Sequence, residues 1–100
     1  MTGSWTGRAR GGKLLRLSAG WEDGIIESIA INGDFFAHPE DGFDAAEAAL
    51  VGRPIDGISK AFAAALAENS VSIFGLLPED LDTAFAVMLA GVPPAGSGQA

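Results

Sequence analysis

Residues 13–37 read KLLRLSAGWEDGIIESIAINGDFFA, and this stretch decides the fold class. Leu15, Leu17 and Ala19 alternate with Leu14, Arg16 and Ser18, the period of two that marks a half-buried strand. Glu22-Asp23-Gly24 follows as a turn, with glycine where a tight hairpin asks for positive φ. A second strand is predicted over residues 25–31, with Ile25, Ile29 and Ile31 on one face. Asn32-Gly33 is another turn signal, and Asp34-Phe35-Phe36-Ala37 is short, aromatic and extended. Three such segments with minimal loops predict an antiparallel meander.

Outward from the meander the pattern changes. Pro39-Glu40-Asp41 suits a first helical turn, where a missing N–H costs nothing and negative charge meets the helix dipole. Phe43, Ala46 and Leu50 recur at helical spacing until Gly52 and Pro54. A second helix is predicted from Asp56, as N-cap, to Glu68, burying Ile58, Phe62, Ala65 and Leu66. Residues 71–77 form an apolar connector whose conformation the pattern leaves open. A third helix begins at Pro78 and turns Leu81, Phe85, Met88 and Leu89 inward. The whole reads as α+β: a three-stranded antiparallel meander followed by about three helices packed on one face. Residues 1–10, rich in Gly, Thr and Arg, read as a flexible arm with Trp5 as its one large apolar side chain. Residues 11–91 form the domain and residues 92–100 a disordered tail.

Composition narrows the function. Thirteen acids against six Lys and Arg give a net charge of −7, which argues against nucleic acid and against an anionic membrane surface. No apolar run has the length of a membrane span, and the N-terminus has no signal-peptide pattern, so the expected location is the cytoplasm. The absence of cysteine removes disulfides, thiol catalysis and thiolate-held clusters. Arg8, Arg10, Lys13 and Arg16 concentrate positive charge near the start, as a solvated arm or as a contact for a phosphate or an acidic partner. His38 is the only histidine and sits in a turn before Pro39. A lone turn histidine reads as a surface or capping residue rather than a base, and nothing nearby completes a triad. Glu40, Asp41 and Asp44 suit helix-dipole compensation better than metal binding. Phe35 and Phe36 are adjacent on an extended segment, so one of them must leave the core face.

Three stretches taken together are more specific. Gly11-Gly12-Lys13-Leu14-Leu15-Arg16 is followed by Ile29-Ala30-Ile31-Asn32-Gly33-Asp34-Phe35-Phe36, and then by Ala49-Leu50-Val51-Gly52. This resembles the C-terminal accessory domain of lipoate–protein ligases, in which GGKL-x-R, I-x-I-x-GDFF and a helix ending in AL-x-G recur in that order. With Met1 close ahead of Gly11, the resemblance implies the split arrangement, in which the accessory domain is a separate, non-catalytic subunit. It implies a partner chain carrying the ATP, lipoate and magnesium sites, no cofactor bound by this chain alone, and lipoyl-acceptor domains as indirect partners. Activation of lipoate to lipoyl-AMP would need both chains before lipoyl passes to an acceptor lysine. Lys13 stands at the family's lysine, either as a nucleotide phosphate contact across the interface or simply as the start of a strand. Trp5, Gly11, Gly12, Asp34 and Phe35 are the interface candidates. Two rivals share the fold class: an iron–sulfur scaffold, disfavoured by the missing cysteine, and a stand-alone interaction module with no ligase partner.

Overall fold

The computed structural model describes residues 1–10 and 12–90. Eight elements follow in order: β1 (Thr2–Arg8), β2 (Leu14–Glu22), β3 (Ile25–Gly33), β4 (Phe36–His38), α1 (Glu40–Ala48), α2 (Ile58–Glu68), β5 (Ser72–Phe74) and α3 (Glu79–Leu89). Strands β1, β2 and β3 form an antiparallel meander, and β4 pairs with β5 in a separate two-stranded ribbon. The α+β class holds, with the three-stranded meander and three helices.

The meander's membership differs from expectation. The segment read as a flexible arm is strand β1, paired with β2 from Thr2↔Gly20 to Arg8↔Leu14. Its inner positions are Gly3, Trp5 and Gly7, so two of them carry no side chain and the hydrophobic alternation is muted. Neighbouring aromatics fill the gap. A Cβ on Gly7 would lie 2.6 Å from Trp5 Cζ2, and one on Gly3 would lie 3.0 Å from Trp21 Cη2. The segment expected as third strand leaves the sheet at Gly33, where any Cβ would strike the Leu14 carbonyl. Asp34 N–H donates to that same carbonyl at 2.9 Å. The chain then turns into β4, which pairs with β5, an element the apolar connector had concealed.

A β-bulge revises the face of β3. The register passes from Gly20↔Ser28 to Trp21↔Ile26, leaving Glu27 as the extra residue. The bulge inverts the alternation, so Ile26 is 1% exposed in the core and Ile25 is 40% exposed. Helix α2 also starts later than predicted, capped by Gly57 at φ 80° rather than by Asp56, although its buried residues are the four expected. In α3 Leu81 and Phe85 are buried and Met88 packs against the core, but Leu89, the last residue of the helix, is 53% exposed.

The helices cover one sheet face, α3 lying against β1 and α1 against β3 and β4, with α2 between them. Leu15, Leu17, Ile26 and Ile31 meet Phe43, Leu50, Ile58, Phe62, Leu81 and Phe85 across the interface. Phe43 centres an aromatic run, 5.3 Å from Phe35 and 6.0 Å edge-on from Phe62. None of the helices among the described residues is long and apolar enough to cross a membrane.

Two carboxylates tie layers together. Asp80, in the first turn of α3, is 3% exposed. Its Oδ1 accepts the Arg10 N–H at 3.0 Å and its Oδ2 accepts the Leu77 N–H at 2.8 Å. Glu47 of α1 accepts the Ile31 N–H at 2.6 Å and so occupies the outer edge of β3. The 52–54 segment continues that cover, with Ile26 N–H donating to the Arg53 carbonyl and Gly52 N–H to the Ile26 carbonyl. Burial raises the Glu47 carboxyl above its ordinary 4.5, opposed by the Ile31 hydrogen bond and reinforced by the Asp44 charge.

Both carboxylates are testable. A raised folded-state value means the folded protein holds the Glu47 proton more tightly than the unfolded chain. This contribution is fully present below the unfolded value and fades as pH rises through the folded one. Glu47→Gln keeps an acceptor oxygen for Ile31 and removes the half-buried charge. Its stability relative to wild type should therefore improve from pH 4 to pH 7 in urea titrations; a pH-independent difference would contradict the assignment. Asp80→Asn places an amide donor against one of two N–H donors and should cost about 1–3 kcal/mol by the same measurement. The exposed neighbour change Asp82→Asn should stay within about 0.5 kcal/mol.

Candidate interaction site at the motif end of the sheet

The β1–β2 turn is built by reciprocal backbone bonds. Ala9 N–H donates to the Lys13 carbonyl and Gly12 N–H to the Ala9 carbonyl, each at 2.8 Å. Gly12 takes φ 87°, a conformation a side chain would strain, and its carbonyl accepts from Arg8 Nη1 at 2.8 Å. The turn therefore presents Lys13 immediately before β2, next to the hydrogen-bonded Gly12.

Lys13 is exposed, and its stem lies along the exit from β5. Gly75, just after β5 and at φ 86°, leaves room for its stem: a Cβ there would lie 2.5 Å from Lys13 Cγ and 3.6 Å from Phe35 Cα. Three segments distant in sequence thus meet at one end of the molecule: the β1–β2 turn, the Asp34-Phe35 link into β4, and the exit from β5. Asp80 adds the fourth tie, since its two hydrogen bonds join the turn at Arg10 to the segment before α3. The Arg10 guanidinium stands 3.9 Å from Asp80 and is largely exposed. Lys13 makes no ion pair among the described residues.

The proposed site residues divide accordingly. Gly12, Lys13, Asp34 and Phe35 come together at this end, while Gly11 lies outside the described residues. Trp5 does not join them. It pairs with Leu17 on the inner face of the sheet and packs half-buried against the core. Phe35 is also half-buried, its ring on Phe43. Its neighbour Phe36 takes the outward position and is 65% exposed. Directly across the ribbon stands Phe74, equally exposed at 65%. His38 also points outward, opposite Ser72, with no hydrogen-bond partner among the described residues, and the α1 acids Glu40, Asp41 and Asp44 are exposed.

Two residues of this end escaped the sequence reading. Phe74 lay in the connector left without a conformation, and Asp80 had the look of an ordinary first-turn acid. The doublet Phe35-Phe36 announced that one ring faces outward, but alternation alone does not set the phase. A shallow hollow opens beside Phe36, walled by Phe35, Phe43, Glu40 and Asp44 and floored by residues 31–33.

No protein-family model and no curated protein matches the sequence. Among solved structures, a chain is matched from the structural analysis of an archaeal lipoylation system, a bi-partite lipoate protein ligase and its E2 lipoyl domain from Thermoplasma acidophilum. The match has a TM-score of 0.66 and 27% identity, and covers 83% of this chain and 94% of that one. In fold and over most of its length, the protein resembles a component of a two-part lipoate–protein ligase system.

Proposed function

We propose that this chain is the accessory, non-catalytic subunit of a two-part lipoate–protein ligase. The observation that carries the reading is the meeting of Gly12-Lys13 with the Asp34-Phe35 link at one end of a fold similar to a chain of such a system. ATP, lipoate and magnesium then belong mainly to a catalytic partner chain, and lipoyl-acceptor domains are served through that partner. The accessory chain contributes to the activation of lipoate to lipoyl-AMP rather than to the transfer onto lysine.

In this reading Lys13 is the residue through which the chain touches the chemistry. An ammonium is a compact charge suited to a phosphate oxygen, and charge placed in advance stabilises what develops in the transition state. The stem held over Gly75 and the bonded turn before it restrict where that charge can go. No nucleophile or general base is asked of this chain.

The complementation test is direct. Neither this chain nor the catalytic chain alone should release pyrophosphate rapidly from ATP and lipoate, and the mixture should. A catalytic chain as fast alone as in the mixture would remove the proposal. For Lys13→Met, adenylation in the assembled complex should fall about tenfold or more, with transfer from supplied lipoyl-AMP nearly unchanged. Equal losses in both half-reactions would make Lys13 a structural residue instead.

A further inference from the structure

The two-stranded ribbon has two faces of opposite character. Ala37 and Ile73 face each other on the inner side and pack against the core. Phe36 and Phe74 face each other on the outer side, each 65% exposed. A cross-strand aromatic pair is a unit of stabilisation in a sheet, yet here it is spent on solvent. The sheet's long strands expose no comparable pair. The rim around it is charged: Glu40 and Asp44 wall the hollow on one side of Phe36, exposed Asp34 lies in the turn before it, and Lys13 rests against Gly75 beside Phe74.

We infer that the outward Phe36–Phe74 pair is the anchor by which this chain docks onto its catalytic ligase partner, on an apolar surface of that partner rimmed by Lys and Arg. The inference rests on the ligase reading and adds the surface through which it operates. Any occupant must cover more than the two rings, and the charge around them argues against a second copy. Two phenylalanines expose on the order of 200–300 Å² here, against about 800 Å² per partner in a stable interface. A dimer through this pair would bring the Asp34, Glu40 and Asp44 rims of two copies to one seam, three acids from each copy against the Lys13 beside Phe74. A different chain with a cationic rim gains from the same acids, which would steer its approach.

The experiment uses the full chain and the catalytic ligase chain from the same organism, by titration calorimetry and sizing chromatography. Phe36→Ser and Phe74→Ser should each weaken the complex about tenfold and together more. Val51→Ser, at an exposed apolar residue away from the ribbon, should change it less than about twofold. Since Phe36 borders Phe43, thermal melting of every variant is measured, and Phe74→Ser alone keeps the test decisive if Phe36→Ser melts early. Glu40→Gln with Asp44→Asn should slow association a few-fold at low salt and much less at high salt. Folded phenylalanine variants that bind like wild type overturn the inference and leave the ligase reading standing. A complex that depends on both rings but does not raise lipoyl-AMP formation overturns the ligase reading and leaves the docking surface. Absence of any complex, or a wild-type homodimer that the double variant dissolves, overturns the inference.

Discussion

The carboxylate of Asp80 is the constraint on which the motif end depends. A buried carboxylate is tolerated only where hydrogen bonds and favourable charge replace its water. Asp80 receives two backbone N–H groups, lies in the first turn of α3 where the helix dipole favours an anion, and has Arg10 at 3.9 Å. Each donor comes from a different segment, so satisfying one side chain fixes three things: the β1–β2 turn, the stretch after β5, and the start of α3. The position of β5 sets the ribbon, and the ribbon sets which aromatic rings face outward. An uncompensated charge at this depth costs several kcal/mol, a large part of the stability of a domain this small.

How much of this was legible follows from what periodicity can carry. Strands β2 and β3 and the buried stripes of the three helices announce themselves because large apolar residues mark the inner positions. Strand β1 does not, because Gly3 and Gly7 occupy inner positions and borrow their filling from Trp5 and Trp21. In β3 the bulge at Glu27 exchanges Ile26 for Ile25, a one-residue change that a sequence rich in isoleucine cannot reveal. The β4–β5 pairing joins Phe36 to Phe74 through three-residue strands, too short for a period and too far apart in the chain for a turn signal. Helix α2 is capped by Gly57 in the left-handed region, where the conventional preference points to Asp56.

The site was legible as a set of segments more than as a set of side chains. The motif stretches around Lys13 and Asp34 converge although more than twenty residues separate them, because β2 and β3 pair with Leu15 opposite Gly33. That register brings the start of one strand to the end of the next, and any sequence reading of a hairpin contains it. Which of Phe35 and Phe36 faces the core is decided elsewhere, by Phe43 on α1 and by the register with β5. The role of Asp80 is still less visible, since an acid in a first helical turn is ordinary and only its burial distinguishes it.

The outward phenylalanines and the lysine are neighbours, and in the proposed reading this adjacency would give a docked chain a way to influence chemistry. A two-stranded ribbon is marginal on its own and is held here by Ala37 and Ile73 against the core. A partner that covers Phe36 and Phe74 removes apolar surface from water and stabilises the ribbon in the arrangement it binds. Gly75 follows Phe74 directly, and the Lys13 stem lies over Gly75. Holding the ribbon would then narrow the range of the lysine. In that reading its ammonium would lose less freedom when a phosphate arrives, and docking and activation would be parts of one equilibrium rather than separate properties of the chain.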